Sequence, residues 1–142
     1  MSDDPPIANS LESIDWAALR TAALAAAGRA YVPYSKFRVG AAGVTTDGRV
    51  ISGCNIENAS YGLTLCAECA MLGQLMMGGG GRLRAVVTVG NGAAVTPCGR
   101  CRQLLWEHGG AECWVEVEGV PTPLSALLPH AFPEASTFVP PS

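Results

Sequence analysis

The sequence predicts an α/β fold, a three-layer α/β/α sandwich in which a mixed sheet of about five strands is flanked by helices. The 142 residues are about one domain in length, and their 49% apolar content is enough for a hydrophobic core. Helical and strand-like patterns follow in the order α-β-β-α-β-α-β, and strands separated by helices return through crossovers that place the helices on the sheet. We expect one domain over residues 13–134, between a flexible N-terminal segment, 1–12, and a flexible tail, 135–142.

The first half of the chain predicts a helix followed by a β-hairpin. Residues 14–31 are rich in alanine, with apolar side chains at helical spacing, and a proline ends the pattern. The stretch "FRVGAAGVTTDGRVISGCNI" then alternates in apolar character around a turn. It predicts antiparallel strands over about 37–44 and 49–55, with Asp47 and Gly48 supplying the positive backbone angles of a tight turn.

The second half predicts two helices that alternate with strands. "TLCAECAMLGQLMMGG" is typical of a largely buried helix, capped by Thr64 and ended by Gly78. "RAVVTVG" predicts a buried strand, after which Pro97 opens a second helix that ends at Gly109. "CWVEVEG" predicts a further strand, and "LSALLPHAF" a short terminal helix or turn.

Composition excludes several classes of function. The net charge is −3 and Lys36 is the single lysine, so the chain lacks the basic surface that tracks a phosphate backbone, and we expect no nucleic-acid partner. No segment reaches the roughly 18 uninterrupted apolar residues of a membrane span. We therefore expect a soluble cytoplasmic protein, in which clustered thiols are ligands or catalytic groups rather than disulfides.

Three of the six cysteines fall at predicted helix starts. Cys66 begins one helix, and Cys98 and Cys101 lie one turn apart at the start of another. Unpaired N–H groups at a helix N-terminus favour thiolates, which are the form that binds metals. A tetrahedral, redox-inert metal that accepts three protein thiolates is best matched by zinc.

The fourth position of such a site separates the alternatives. If Cys69 fills it, two C-x-x-C pairs form a closed structural zinc site without catalysis. If Cys98 and Cys101 form a thiol-disulfide pair instead, the chain is a redox protein. Glu68 favours an open site, because a carboxylate gains a use where water is the fourth ligand: it takes the proton of that water and passes it to a substrate nitrogen. This is the chemistry of hydrolytic deamination.

The motifs "CAE" and "PCGRC" resemble the zinc nucleoside and nucleobase deaminase signature in its three-cysteine form. Together with "YVPYSKFRVGAA" and "GCNIENASYGLT", they resemble the small homotetrameric cytidine deaminases over residues 31–107. The resemblance implies a cytidine deaminase-like fold with one zinc per chain, held by Cys66, Cys98 and Cys101, and with Glu68 as the catalytic acid and base. It implies hydrolysis of cytidine and 2′-deoxycytidine to uridine, 2′-deoxyuridine and ammonia in pyrimidine salvage.

The resemblance also implies contacts with a nucleoside substrate. Phe37 packs against the nucleoside, and Asn55 and Glu57 hydrogen-bond the ribose hydroxyls. The backbone groups around Ala67 read the edge of the pyrimidine together with Glu68. A neutral sugar and a flat base are well matched by amide, carboxylate and aromatic groups, and a nucleoside needs no arginine fork for a phosphate.

Neighbouring subunits complete each pocket in the family that the chain resembles. Tyr61 and Phe132 are implied in this role, and Phe132 would stack on the base. A homotetramer with shared active sites follows. Many family members carry arginine where this chain has Cys69. We expect Cys69 beside the ligands rather than on the metal, with Arg102 offsetting thiolate charge. Within the fold, a cytosine-bearing antibiotic nucleoside of the blasticidin type is an alternative substrate.

Overall fold

The computed structural model describes residues 11–134. The predicted flexible tail, 135–142, and the first ten residues of the predicted flexible segment 1–12 lie outside them. Within the described residues, four α-helices and six strands form the fold, with short 3-10 helices at Leu11–Ser13 and Tyr61–Leu63. In chain order the elements are α1 (Trp16–Ala27), β1 (Val39–Thr45), β2 (Val50–Cys54), α2 (Ala67–Met77), β3 (Leu83–Gly90), β4 (Ala93–Ala94), α3 (Gly99–Gly109), β5 (Trp114–Val117), β6 (Val120–Pro123) and α4 (Leu124–Leu127).

The sheet is mixed, and its order is β2-β1-β3-β5-β6, with β4 paired to β3. The β3–β5 pair is parallel and the other pairs are antiparallel. Helix α1 packs on one face over a core that includes Leu19, Ala23, Ala42 and Val87, and α2, α3 and α4 pack on the other over Met71, Leu75, Val86 and Leu105. The predicted three-layer α/β/α sandwich is confirmed. No helix among residues 11–134 is long and apolar enough to cross a membrane.

Helix starts differ in part from the prediction. Helix α1 is shorter than the predicted 14–31, because Asp15 caps its start, accepting a hydrogen bond from Ala18 N at 3.0 Å, and Gly28 ends it. Thr64 does not cap α2 as predicted; its amide closes the preceding 3-10 helix. Cys66 takes the N-cap position of α2 instead.

Two turns account for the other corrections. In the β1–β2 hairpin only Gly48 has a positive φ, 91°, so Asp47 does not share the left-handed conformation that the sequence predicts. The strand predicted from "CWVEVEG" continues into a second hairpin, in which Glu118 (φ 51°) and Gly119 (φ 81°) form a two-residue turn leading into β6. β6 and β4 add two strands to the four in the predicted element order, which gives six strands where about five were expected.

Two glycines set how closely the helices approach the sheet. A methyl group at Gly40 on β1 would overlap the backbone of α1 at Ala23. At Gly53 on β2, an added methyl would lie 2.5 Å from the carbonyl oxygen of Ala67 and closer still to the backbone of Met71. Only glycine permits this approach, which holds the first turn of α2 against the sheet.

Candidate active site

The starts of α2 and α3 bring three thiols together. Cys66 is the N-cap of α2, Cys98 is the N-cap of α3, and Cys101 lies in the first turn of α3. Their sulfur atoms all lie within 4.8 Å of one another, and the Sγ atoms of Cys66 and Cys98 are 4.0 Å apart. Cys69, half-buried on α2, lies outside this three-sulfur group.

The three sulfurs fit a tetrahedral zinc ion. With metal–sulfur distances of about 2.3 Å, such an ion separates its sulfur ligands by roughly 3.8 Å, close to the spacing observed here. Burial raises the pKa of the Cys66 and Cys101 thiols, so thiolates at these positions require a cation beside them. Among the described residues this group offers three sulfur ligands, and Cys69 is not one of them.

Glu68 lies two residues after Cys66, in the first turn of α2, and only 3% of its surface is exposed. Its Oε2 accepts a hydrogen bond from the hydroxyl of Thr88 on β3, with 3.3 Å between the oxygens. Burial raises the pKa of this carboxyl, while hydrogen bonds from its own backbone amide, Thr88 and Cys101 oppose the rise. A buried carboxyl beside the thiols is placed to accept a proton from one group and release it to another.

A cavity of about 280 Å³ opens beside the thiols and the carboxyl. Six of the residues singled out in the sequence line it: Phe37, Asn55, Cys66, Ala67, Glu68 and Cys98. Six further residues line the cavity that the sequence did not indicate as site residues: Val39, Thr64, Leu65, Thr88, Val95 and Thr96. Among these, only Thr88 could have been recognised from the sequence, because it is a polar residue within an apolar stretch of the predicted strand.

Asn55 is 9% exposed and is tied to the backbone on the far side of the cavity. Its Oδ1 accepts from Val39 N at 2.9 Å, and its Nδ2 donates to the Phe37 carbonyl at 2.9 Å. An amide can donate two hydrogen bonds and accept two, so one of each remains available for a ligand. The Phe37 ring, 41% exposed, stands at the cavity wall.

Glu57 and Tyr61 line a neighbouring cavity of about 340 Å³, which Thr64 shares with the first. Glu57 Oε1 accepts hydrogen bonds from the amides of Tyr34 at 3.0 Å and Ser35 at 3.1 Å. Hydrogen bonding by Ser35 holds the pKa of this carboxyl below its usual value, so Glu57 is an anion at neutral pH. Tyr61 is 75% exposed, and its ring meets that of Tyr34 edge to face.

The remaining predicted residues lie outside both cavities. Phe132 is 80% exposed, and its carbonyl accepts a hydrogen bond from Gln103 at 2.5 Å. Arg102 donates to the carbonyls of Pro97 and Leu127, each at 2.9 Å. Its charge therefore lies next to the start of α3, and its side chain ties α3 to the last residue of α4.

A three-thiol cluster beside a buried carboxyl, at helix starts on an α/β/α sheet, defines an enzyme of the zinc-binding deaminase class. The family described as "Cytidine and deoxycytidylate deaminase zinc-binding region" matches residues 15–117. The chain therefore belongs to the cytidine and deoxycytidylate deaminase family and is an enzyme of the cytidine deaminase kind.

Individual relatives agree with this membership. The chain is 55% identical over 123 residues to cytidine deaminase of Mycobacterium tuberculosis, covering 86% of this chain and 92% of the relative. It is similar to the crystal structure of cytidine deaminase from that organism, with a TM-score of 0.84, 54% identity and coverage of 86% and 100%. The crystal structure of cytidine deaminase from Mycobacterium leprae matches with a TM-score of 0.81, 52% identity and coverage of 82% and 99%.

Proposed function

We propose that this chain catalyses the zinc-dependent hydrolytic deamination of cytidine and 2′-deoxycytidine, giving uridine or 2′-deoxyuridine and ammonia. The observation that carries the proposal is the position of Glu68, a buried carboxyl with a raised pKa in a cavity that it shares with Cys66 and Cys98. As a pyrimidine salvage enzyme the protein would act in the cytoplasm, where its thiols remain reduced.

The chemistry divides between the cation and the protein. Zinc held by Cys66, Cys98 and Cys101 would act as a Lewis acid that lowers the pKa of water and supplies a nucleophile near neutral pH. Glu68 takes a proton from that water and delivers it to nitrogen on the base. The water oxygen bonds to C4 and the bond from C4 to the exocyclic nitrogen breaks. Of the two water protons, one ends on the ring nitrogen N3 and the other leaves on ammonia, and Glu68 is the residue that carries them.

Each thiolate adds negative charge that works against acidifying water. The helix N-termini at Cys66 and Cys98 offset part of this charge, because the amides there carry partial positive charge. Arg102, held at the carbonyl of Pro97, adds a full positive charge near the start of α3. These groups take the place of the arginine that many family members have at the position of Cys69.

Substrate binding is assigned to residues on both sides of the cavity. The ring of Phe37 packs on the nucleoside, and the backbone at Ala67 reads the pyrimidine edge. Asn55 meets the sugar through the donor and acceptor that its backbone contacts leave available. Glu57, in the adjoining cavity, accepts a hydrogen bond from a ribose hydroxyl through its carboxylate.

The functional unit is assigned as a homotetramer with shared active sites. Tyr61 and Phe132 are 75% and 80% exposed in the single chain, which is unusual for large aromatic side chains. Neighbouring copies would bury these rings, and Phe132 of one copy would stack on the base bound by another. Size-exclusion chromatography with light scattering tests this assignment: a monomer at assay concentration that is fully active contradicts it.

The loss of cytidine absorbance tests the function itself, run with wild type and Glu68→Gln and with zinc per chain measured on both. We expect conversion by wild type, and about one zinc but almost no turnover in the variant. Blasticidin S is assayed in parallel, and turnover of that compound alone would reassign the substrate. Zinc in both proteins with turnover of no nucleoside would favour a closed structural site that includes Cys69.

A further inference from the structure

Thr88 is a hydroxyl residue within the apolar stretch 85–89 of β3. It lies on β3, between β1 and β5 in the centre of the sheet, and is 2% exposed. Val87 and Val89 pack toward α1, whereas Val86 joins the core beneath α2 and α3. Side chains alternate along a strand, so Thr88 faces the same side as Val86, toward the cavity that it lines with Glu68.

A buried hydroxyl at this position is costly unless it is hydrogen-bonded. The Thr88 hydroxyl meets this need by donating to Glu68 Oε2, at 3.3 Å. Thr88 is itself held in place, because it is β-branched and its carbonyl accepts a hydrogen bond from Val95 N at 3.0 Å. The donor is therefore held rigidly, on a strand whose residues are nearly all buried.

The Glu68 carboxyl needs such a partner. Helix α2 fixes the backbone of Glu68, but the last torsion of a glutamate side chain is broad and does not settle into a staggered well. A fixed donor to one carboxylate oxygen, acting together with the hydrogen bond from the backbone amide of Glu68, selects one rotation of the group. Proton transfer depends on that rotation, because a carboxyl misplaced by about 1 Å loses much of its effect on rate.

We propose that Thr88 is a positioning residue for proton transfer, with its hydroxyl holding the Glu68 carboxyl in the orientation that catalysis requires. The inference rests on the proposed deamination and adds a residue to that site. It differs from a role in substrate binding, because the contact of Thr88 is with Glu68. It also differs from a role in packing, because it depends on the hydroxyl group of Thr88 and not on the volume of the side chain.

Thr88→Val tests the hydroxyl, because valine keeps the shape and removes only the donor; Thr88→Ser is the matched control that keeps the donor. For cytidine we expect Thr88→Val to lower kcat about tenfold, a fraction of the 10²–10⁴ of a complete proton-transfer group, with KM within about twofold. Thr88→Ser recovers most of kcat. Zinc per chain and the affinity for uridine, measured by calorimetry, remain those of wild type in both variants.

A double variant sharpens the test. In the Glu68→Gln background, where the carboxyl is absent, Thr88→Val has no further effect on the residual rate, because groups that act as a unit are not additive. Additive losses would overturn the proposal, as would a Thr88→Val variant with unchanged kcat or a Thr88→Ser variant as slow as Thr88→Val. A higher KM with unchanged kcat would also overturn it and would make Thr88 a substrate contact.

Failure of the inference is distinguishable from failure of the proposed function. Wild type that does not deaminate cytidine, or Glu68→Gln with full activity, would overturn both, since Glu68 would then have no proton transfer for Thr88 to serve. Full kcat in Thr88→Val beside an inactive Glu68→Gln variant would overturn the role of Thr88 alone. The deaminase assignment would then stand.

Discussion

The side-chain amide of Asn55 donates to the backbone carbonyl of Phe37 at 2.9 Å, joining the end of the β1–β2 hairpin to its beginning. The same side chain accepts from the amide of Val39 at 2.9 Å, so each of its two polar atoms makes one hydrogen bond to the backbone. Phe37 and Asn55 both line the cavity. One buried amide therefore holds the cavity wall at Phe37 and also holds the two ends of the β1–β2 hairpin together.

Asn55→Ala is expected to destabilise the protein by about 2 kcal/mol, because it leaves two backbone groups without their partners. The loss is measured by urea unfolding followed by fluorescence. Asn58→Ala is the matched control, since the exposed Asn58 makes a local hydrogen bond to Ser60 N. Equal losses in the two variants would contradict the structural role of Asn55.

Two glycine substitutions are expected to have opposite effects on stability. Gly73 lies on the exposed side of α2 with open space around it, so Gly73→Ala should stabilise the protein by about 0.5–1 kcal/mol through helix propensity. Gly40→Ala should lower the thermal midpoint sharply, because its methyl would overlap the backbone of Ala23 in α1. Thermal unfolding of both variants gives the comparison, and a Gly40→Ala protein as stable as wild type would refute the close packing.

Arg20 on α1 forms an ion pair with Glu116 on β5, whose side chain is 3% exposed. Arg20→Ala should cost about 2 kcal/mol, less than for a fully buried pair because 44% of the arginine side chain is exposed. Adding Glu116→Gln should recover part of this loss, since no buried charge then lacks a partner. Denaturant unfolding measures the free energy of unfolding of the single and double variants. A double variant that is less stable than Arg20→Ala would contradict the cost assigned to an unpaired Glu116 carboxylate.

Removal of metal is expected to change the reactivity of one thiol and not another. Cys98 is exposed, and zinc should protect it from iodoacetamide until a chelator is added. Cys113 is fully buried, burial raises its pKa to about 12, and it should remain unlabelled either way. Mass spectrometry after labelling at about pH 8 measures the labelled fraction of each cysteine. Equal labelling of Cys98 with and without chelator would contradict metal binding there.

Much of the fold could be predicted because the local pattern and the tertiary structure agree. The apolar run of β3 and the glycine exit of α2 at Gly78 are examples. The strand β6 was missed because Pro121 and Pro123 oppose a strand in sequence terms, and only its place at the edge of the sheet tolerates them. Thr64 was predicted as the cap of α2 because its hydroxyl is a common capping group, whereas Cys66, which occupies that position, makes no capping hydrogen bond.

The candidate site divides in the same way. The placement of Cys66, Cys98 and Cys101 at helix starts, together with the resemblance to the cytidine deaminases, predicted that their thiols lie together. The contact of Thr88 with Glu68 depends on how β3 lies beneath α2, and the cavity that contains Glu57 depends on a loop folding back over residues near Tyr34. Neither relationship has a fixed spacing along the chain, so tertiary structure was needed to find it.

The N-cap residues of α2 and α3 are cysteines, Cys66 and Cys98, and neither side chain makes a capping hydrogen bond. An engineer seeking a more heat-resistant enzyme would first replace such residues with serine or aspartate, which typically add about 1 kcal/mol of helix stability. At Cys66 and Cys98 that improvement would remove the ligands of the proposed metal. The weak caps are therefore positions where thermostability and activity compete, and optimisation of this protein has to begin elsewhere.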